Sequence, residues 1–256
     1  MKKNILTIIS LTVILSVLLT SLCYAEGGEG WYIIKQGNNT PAFPKSERFL
    51  SEHACYAMDK RSAETGDKVL YLTFDAGYEN GNVERILDTL KREEVPGAFF
   101  ILSNLVKKNP ELVKRMFEDG HTVCNHTKNH RSPTKLTDEE IEANLSELER
   151  LCYDATGYEM TKFFRYPEGY YNERTALTLE KLGYKTFFWS LAYSDWDNGR
   201  QPSVESAIKI LTENIHPGAI VLLHPTSQTN RDALPMLISA WRAMGYRFGR
   251  LEDIVG

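Results

Sequence analysis

Four polar side chains stand at the ends of apolar runs in this 256-residue sequence. Asp75, His126, Arg165 and His224 each close, or nearly close, such a run. Because the carboxyl ends of parallel strands converge on one face of a β/α barrel, we expect these side chains to meet there. A carboxylate, an arginine and histidines together indicate a hydrolytic site at which water attacks a carbonyl.

The residue types suggest separate roles within such a site. Asp75 could act as a general base, and Arg165 could orient its carboxylate and lower its pKa. His224 ends the most apolar run of the chain, and Asp195 could hydrogen-bond one of its ring nitrogens and raise its pKa. For any one of these residues alone, a solvated strand end or a hydrogen-bonded core side chain is the alternative.

His126 and His130 are spaced four residues apart. This spacing would place both imidazoles on one face of a helical turn, which is a common way to supply two metal ligands. A catalytic divalent ion needs a third ligand, usually a carboxylate from another strand. Exposed polar histidines beside Lys128 and Arg131 are the alternative interpretation.

The elements that must position these residues alternate strictly along the chain. Strands are predicted for apolar runs at residues 69–75, 97–102, 121–126, 162–167, 185–190, 219–224 and 246–251. Helices are predicted for residues 83–94, 110–119, 138–155, 172–182, 204–214 and 230–244. This alternation predicts a parallel sheet with outer helices, either a barrel or a doubly wound sheet. The lack of a Gly-rich loop after the first strand disfavours a dinucleotide-binding fold.

The N-terminus has the pattern of a secretory signal peptide. Lys2 and Lys3 precede an apolar run, and Ala25 ends a short cleavage motif, so residues 1–25 are predicted to be removed. An uncleaved membrane anchor and a lipoprotein attached at Cys23 are the alternatives. Residues 26–66 are rich in Gly, Asn and Pro and are predicted to form an extended arm, followed by a domain at residues 67–256.

Composition limits the classes of partner. The chain is 42% hydrophobic and 25% charged, with a net charge of −4, so disorder and a multi-span membrane protein are excluded. No basic excess exists to bind nucleic acid. We expect a monomer, with membrane contact only if the signal is retained. After the signal, Cys55, Cys124 and Cys152 are expected to be buried free thiols rather than a disulfide framework.

The order of these motifs resembles the polysaccharide deacetylases, carbohydrate esterase family four, also called the NodB-homology domain. The resemblance runs from about residue 67 to residue 255. The motifs that carry it are T-F-D-A-G at 73–77, H-T-K-N-H at 126–130, R-Y-P-E-G at 165–169, S-D-W at 194–196 and L-L-H at 222–224. The resemblance implies a distorted (β/α)7 barrel and metal-assisted removal of an acetyl group from an N-acetyl sugar.

By position, the resemblance implies a base and an acid, Asp75 and His224, with Arg165 orienting the base and Asp195 tuning the acid. It also implies that the backbone N–H of Glu168 faces the developing oxyanion. The same comparison assigns His126 and His130 to a divalent metal, zinc or a similar ion, and we expect substrate contacts from Tyr166, Trp189 and Trp196.

One departure from the family pattern concerns the metal. The second aspartate of the first motif, which normally completes the metal ligands, is Ala76 here, so weak metal binding is expected. Cys124, on the same strand face as His126, could supply a replacement ligand. A similar departure marks the muramic δ-lactam-forming deacetylases of the spore cortex, which residues 75–81, 189–196 and 31–41 also resemble.

The leading hypothesis is therefore an exported peptidoglycan N-deacetylase of the cell wall or spore envelope, acting on N-acetylmuramic acid. An enzyme acting on N-acetylglucosamine in peptidoglycan or chitin-like chains is the first alternative. A non-catalytic glycan-binding module is the second, although it would need neither an acid nor a base. A glycosidase using Asp75 and Asp195 as its carboxylate pair is the third.

Overall fold

The computed structural model describes residues 27–255. The predicted signal peptide therefore lies outside the described residues. The strands are β1 (Glu29–Gly30), β2 (Ile34–Gln36), β3 (Asn39–Ala42), β4 (Cys55–Tyr56), β5 (Val69–Ala76), β6 (Ala98–Ile101), β7 (Thr122–Asn125), β8 (Thr161–Phe164), β9 (Tyr170–Tyr171), β10 (Lys185–Phe187), β11 (Ala219–Leu223) and β12 (Arg247–Phe248). The helices are α1 (Glu47–Ser51), α2 (Lys60–Thr65), α3 (Val83–Arg92), α4 (Ser103–Lys108), α5 (Pro110–Glu118), α6 (Asp138–Thr156), α7 (Glu173–Lys181), α8 (Val204–Glu213), α9 (Gln228–Ala243) and α10 (Glu252–Val255).

The main sheet is parallel and curls into a half-barrel. Its strand order is β11-β5-β6-β7-β8-β10-β4, and β12 also pairs with β5. Single bridges, Met58 to Ala219 and Leu191 to Val221, connect the two edges of the sheet. The helices between the strands lie outside it, so the predicted distorted (β/α)7 barrel is confirmed.

Strand β5 shows how the sequence fills the two faces of this sheet. Leu72 and Phe74 pack in the apolar cluster shared with the outer helices, whereas Tyr71 belongs to a separate cluster with residues of β6, β7, β8 and β10. Asp75 follows Tyr71 with the period of two, and its side chain is only 10% exposed. The apolar interior of the sheet therefore ends, at its carboxyl edge, in the carboxylate of Asp75.

Helix α6 forms where its capping signal predicts. The Thr137 hydroxyl accepts the backbone N–H of Glu140, and the Glu140 carboxylate accepts the N–H of Thr137. One stripe of the helix is buried, including Leu145 and Leu148. Burying a leucine side chain contributes roughly 1.5–3 kcal/mol, so packing of this stripe stabilises the helix more than its exposed ion pairs do.

The segment before the barrel is more ordered than the predicted extended arm. Leu50 in α1 is 2% exposed, and the Asp59 carboxylate accepts the N–H of Ser62 to cap α2. Strand β4 pairs with β10 and so extends the main sheet. These helices have five and six residues, too few for a helical period to show in the sequence.

Cys55, Cys124 and Cys152 are free and buried, as expected. Within residues 27–255, no helix combines the length and the hydropathy that crossing a membrane requires.

Candidate active site

Asp75 and Arg165 form a buried ion pair at the carboxyl edge of the sheet. Arg165 Nη1 donates to Asp75 Oδ1 at 2.9 Å, and the side chain of Arg165 is fully buried. Its remaining donors reach the carbonyl oxygens of Phe187 at 3.0 Å and Phe188 at 3.1 Å. The guanidinium also lies over the ring of Phe100, 4.2 Å from its centroid. Arg165 is therefore fixed by contacts through Nε and Nη2, which hold Nη1 against the carboxylate of Asp75.

These contacts keep Asp75 ionised. Burial raises the pKa of Asp75, but attraction to His126, Arg165 and His224 and the hydrogen bond from Arg165 lower it, and the net pKa lies below its ordinary value. Oxygen Oδ2 makes no bond to Arg165, so it can accept a proton from water. This geometry suits the expected general base.

His224 and Asp195 form the second half of the site. His224 Nδ1 lies 2.8 Å from Asp195 Oδ1, and the backbone N–H of His224 donates to Asp195 Oδ2 at 2.7 Å. Burial lowers the pKa of His224, but the hydrogen bond and the charge of Asp195 raise it, and the net pKa lies above its ordinary value. The side chain is 27% exposed. A ring held at Nδ1 can present a proton on Nε2 to a leaving group.

Asn230 completes this arrangement and was not predicted from the sequence. Its Nδ2 donates to Asp195 Oδ2 at 2.5 Å and to the carbonyl oxygen of His224 at 3.0 Å. The hydroxyl of Tyr193 in turn donates to Asn230 Oδ1 at 2.5 Å. Asn230 lies in the first turn of α9 and is the first residue of the helix predicted there. The contact between Asn230 and Asp195 depends on the packing of that turn, so no pattern in the sequence around Asn230 predicts it.

His126 has a fixed tautomer. Its Nδ1 lies 2.9 Å from the carbonyl oxygen of Arg165, so Nδ1 carries the proton and Nε2 presents a lone pair. Nε2 is 3.6 Å from Asp75 Oδ2. Burial lowers the pKa of His126 to about 4 despite the attraction of Asp75, so the ring is neutral at pH 7.

His130 lies beside His126, but not on a helical turn as the spacing suggested. Residues 126–130 form an irregular loop in which Thr127 and His130 have positive φ angles of 72° and 62°. The two imidazole centroids are 5.1 Å apart with the rings at 67°. A β-branched residue at positive φ is strained, so surrounding contacts hold this loop. Asn125 Oδ1 accepts the N–H of Thr127 at 2.9 Å and provides one of them.

The donor set does not fit a tightly held metal ion. Within residues 27–255, no three His, Cys, Asp or Glu side chains are grouped so that they could hold one. Cys124 is not a replacement ligand, because its thiol donates to the carbonyl of Thr122 and lies deeper, among apolar side chains. Burial also raises its pKa well above the ordinary value, which disfavours the thiolate. His126 and His130 are then the donors left for a metal ion, because one carboxylate oxygen of Asp75 is hydrogen-bonded to Arg165.

The predicted oxyanion loop has a distinctive backbone. Glu168 has a φ of 57°, and its side chain points to solvent. The next residue, Gly169, has a φ of 66°, and a Cβ atom there would lie 2.7 Å from the ring of Trp189. Only glycine fits this position, so the turn that follows Glu168 can pack directly against Trp189.

The three predicted substrate-binding aromatics differ in position. Trp196 is 67% exposed and available to a ligand. Trp189 is partly buried between the guanidinium of Arg165 and the Gly169 loop. Tyr166 is fully buried, with its hydroxyl on Thr175, so the prediction that Tyr166 contacts substrate was wrong. The period of two places Tyr166 on the face opposite Arg165.

The N-terminal segment also reaches the oxyanion loop. The backbone N–H of Trp31 donates to the carbonyl of Gly169 at 2.8 Å, and its indole N–H donates to the carbonyl of Trp189 at 2.9 Å. Its ring stacks on Phe188 with centroids 4.5 Å apart. Trp31 thus contacts both segments that surround Glu168.

Truncating Trp31 should therefore impair turnover more than binding. For Trp31→Ala we expect kcat to fall by about tenfold with little change in KM, since the Glu168 N–H, the expected oxyanion donor, would lose its fixed direction. Trp31→Phe, which retains the stacking ring, should recover most of the loss. Steady-state kinetics would measure both values. Tyr32→Ala, at an exposed neighbouring side chain, is the control, and an equal kcat in Trp31→Ala and this control would refute the role.

Comparison with known proteins agrees with this geometry. The family described as polysaccharide deacetylase matches residues 62–187. The peptidoglycan-N-acetylmuramic acid deacetylase PdaA of Bacillus subtilis is 38% identical over 191 residues, covering 75% of this chain and 73% of the relative. A peptidoglycan-N-acetylglucosamine deacetylase of Bacillus cereus is 32% identical over 195 residues, covering 74% of this chain and 89% of the relative.

The solved structure of PdaA from Bacillus subtilis, a family 4 carbohydrate esterase, matches with a TM-score of 0.84 and 33% sequence identity. The match covers 89% of this chain and 97% of that one. With the ion pair, the paired histidine and aspartate, and the barrel in the same chain, these relatives lead to one conclusion. The chain belongs to the polysaccharide deacetylases of carbohydrate esterase family four, the hydrolases that include the peptidoglycan deacetylases.

Proposed function

We propose that the protein is an exported deacetylase that removes the acetyl group from N-acetylmuramic acid of peptidoglycan, as a step in muramic δ-lactam formation. The observation that carries the proposal is geometric: the Asp75–Arg165 ion pair and the His224–Asp195 pair both lie at the carboxyl edge of the sheet. The similarity to PdaA, whose name specifies muramic acid, supports the choice of sugar.

In the first step, water attacks the acetyl carbonyl carbon. Asp75 Oδ2 accepts the proton from this water, while Arg165 holds the other carboxylate oxygen and so keeps Oδ2 aimed at the substrate. The carbonyl oxygen becomes an oxyanion. The N–H of Glu168 lies in a loop of fixed backbone and would donate to that oxyanion, a role closed to Pro167, which has no N–H.

In the second step, the carbon–nitrogen bond breaks. The departing amine takes the proton from His224 Nε2, and acetic acid is released. Asp75 then gives its proton to solvent and His224 takes one up, which restores the starting state. Asp195 stabilises the positive charge of the imidazolium before transfer and fixes the ring through Nδ1. Asp75 accepts the proton from water, and His224 donates the proton to the leaving nitrogen. The sugar therefore leaves as a neutral amine rather than as an unstable nitrogen anion.

The chemistry of the freed amine gives a reason for proposing muramic acid as the reacting sugar. This sugar carries a lactyl carboxyl group near its nitrogen, and the amine can close on it with loss of water to give the δ-lactam. A stem peptide on the carboxyl would prevent closure. We therefore expect the enzyme to act on glycan strands from which the peptide has been removed.

Three substrates offered in parallel would test the choice of sugar. Intact peptidoglycan, peptide-stripped peptidoglycan and chitin oligosaccharides should be incubated with the protein and analysed by mass spectrometry. Loss of acetyl only from muramic acid in the stripped strands is the expected result. Acetyl loss from chitin oligosaccharides alone would overturn the muramic acid proposal. It would favour the second candidate, an N-acetylglucosamine deacetylase, which the relative from Bacillus cereus supports.

Export is a further part of the proposal and rests on residues 1–25. Peptidoglycan lies outside the cytoplasmic membrane, so its deacetylase must cross that membrane, and the N-terminal pattern offers the means. N-terminal sequencing of protein recovered from the cell wall or spore envelope should begin at Glu26. An intact Met1 on a membrane-bound form would overturn cleavage and favour an anchor.

The metal is proposed to bind weakly, and one substitution tests the reason. Ala76 is fully buried, so Ala76→Asp places a carboxylate out of water and should lower stability by about 2 kcal/mol or more without metal. If the introduced carboxylate reaches an ion held by His126 and His130, zinc should restore the lost stability and bind at least tenfold more tightly than to wild type.

Thermal unfolding with and without zinc, together with calorimetric titration, measures both effects. Ala76→Asn has nearly the same shape without the charge and is the matched control. Equal zinc affinity in the Ala76→Asp and Ala76→Asn variants would show that position 76 does not complete a metal site. Tight stoichiometric zinc in the wild type would contradict the weak binding inferred from the two histidines.

A further inference from the structure

His126 faces the proposed base across a short gap. Its Nε2 lies 3.6 Å from Asp75 Oδ2, which is too far for a direct hydrogen bond. Both atoms present lone pairs, because Nδ1 carries the ring proton and Arg165 pairs with the carboxylate as an anion. Two acceptors this close repel each other unless a donor or a cation lies between them. The gap between Nε2 and Oδ2 therefore needs an occupant.

One residue fixes both acceptors. Arg165 Nη1 donates to Asp75 Oδ1 at 2.9 Å, and the carbonyl oxygen of Arg165 accepts the Nδ1 proton of His126, also at 2.9 Å. The backbone N–H of Arg165 donates to the carbonyl of Asn125, the residue before His126, at 3.2 Å. The side chains of His126 and Asp75 are 4% and 10% exposed. The gap is thus preformed and largely shielded from bulk solvent.

The family resemblance implies a metal ion at this point, whereas the donors around the gap fit a water. Within residues 27–255, no three His, Cys, Asp or Glu side chains are grouped so that they could hold an ion, and Ala76 has no side-chain donor to offer. His130 is exposed, and its imidazole makes no hydrogen bond to any described residue. A water has two hydrogens, one for each acceptor, and needs only two to four polar partners.

We propose that His126 and Asp75 together orient the attacking water, with His126 Nε2 accepting one of its hydrogens and Asp75 Oδ2 accepting the other. The inference rests on the proposed function, because it takes Asp75 as the base. With both hydrogens directed at the two side chains, a lone pair of the water oxygen points away from them, toward the acetyl group. Alignment of this kind lowers the barrier, because the reacting atoms need no further ordering.

His126 gains and loses no proton in this step. As the oxygen of the water bonds to the carbonyl carbon, one O–H bond breaks and its proton passes to Asp75 Oδ2, which carries the negative charge. The electron pair of the carbonyl double bond moves to the carbonyl oxygen, which becomes the oxyanion. The second hydrogen stays on the new hydroxyl group and continues to donate to His126 Nε2. His126 is therefore neutral throughout and acts only as an acceptor.

Two substitutions at position 126 distinguish an acceptor from a metal ligand. Glutamine can place its amide oxygen near the position of Nε2 and accept from water, but an amide is not a usual zinc ligand, and leucine offers no acceptor. In His126→Leu we expect kcat to fall by about a hundredfold with little change in KM, since the water loses its orientation. In His126→Gln, kcat should recover to within about tenfold of wild type. Steady-state kinetics measures both values, and thermal unfolding shows whether each variant is folded.

His130 provides the second comparison. His130→Leu should lower kcat by no more than about threefold, because it removes neither acceptor of the water. The wild type and the variants should be assayed as purified and after treatment with a chelator, with the metal content measured by mass spectrometry. We expect equal kcat in the two preparations. His53→Leu, which removes a partly exposed histidine from the segment before the barrel, is the control and should match wild type.

A small activated aryl acetate keeps this test independent of the sugar. Water attacks the carbonyl of that ester as well, so the variants should rank in the same order on it as on peptide-stripped peptidoglycan. Equal losses in His126→Leu and His130→Leu, no recovery in His126→Gln, or activity that a chelator abolishes and zinc restores would each overturn the inference. If the order holds on the ester but peptidoglycan is not deacetylated, the orientation of the water stands and the proposed function fails.

Discussion

Asp75→Asn should lower kcat on peptidoglycan by at least about a hundredfold, because an amide cannot take the proton from the attacking water. The asparagine oxygen can still accept from Arg165 Nη1, so the side chain keeps its position. His224→Ala should cause a loss of similar size for a different reason, since the amine would have to leave without a proton. Asp154→Asn, on the exposed face of α6, is the control for loss of a carboxylate.

A substrate with a different leaving group distinguishes the loss of activity in Asp75→Asn from the loss in His224→Ala. An activated aryl acetate releases a phenolate that needs no proton, so His224→Ala should retain most of its activity on that ester. Asp75→Asn should lose activity on both substrates, because water must be deprotonated in either case. The double variant should lose less than the product of the single losses, since both groups act in one turnover. An equal loss of ester activity in the two single variants would exclude His224 as the acid.

Much of the fold could be read from the sequence, because strand and helix periods alternate over long segments. The capping pair at Thr137 and Glu140 set the start of α6 correctly. Helix α9 begins two residues before its predicted start, because Ser227 caps it and was not recognised as a cap. Helices α1, α2 and α4, with five or six residues each, depend on packing against the barrel, and no local period identifies them.

The site was predicted as a set of strand ends, and the structure brings its main members together. Asp75 and Arg165 meet because β5 and β8 are parallel and their carboxyl ends lie at one edge. The loop between His126 and His130 could not be predicted, because positive φ at a threonine is contrary to local preference and depends on surrounding contacts.

One predicted site residue, Tyr166, and one possible ligand, Cys124, do not reach the site, and the reasons were present in the sequence. Tyr166 follows Arg165 directly, so the period of two places it on the opposite face, where it packs against Phe164. Cys124 does share a face with His126, but it lies one layer deeper, among apolar side chains. A side chain reaches a site at the end of a strand only if it lies on the same face of the sheet as the site and close to that end of the strand.

Asp195→Asn should move the pH dependence of the reaction as well as its rate. Asp195 Oδ2 accepts from the backbone N–H of His224 and from Asn230, and these two donors would bind the oxygen of an asparagine. The asparagine amino group would then face His224 Nδ1 and repel its proton. Without the carboxylate, burial dominates and lowers the pKa of His224, so the imidazolium is lost at neutral pH.

The direction of the shift follows from the protonation that each group needs. The wild type requires His224 protonated, so kcat/KM falls as pH rises through its pKa, which lies above the ordinary value of 6.5. In Asp195→Asn this alkaline limb should move down by about one pH unit or more, which corresponds to about 1.4 kcal/mol of lost imidazolium stabilisation per unit. At pH 7, kcat should fall by up to about tenfold for each unit of the shift, in proportion to the protonated fraction of His224. Asp197→Asn, an exposed carboxylate two residues away, should leave the limb in place. An alkaline limb unchanged in Asp195→Asn would mean that a group other than His224 donates the proton.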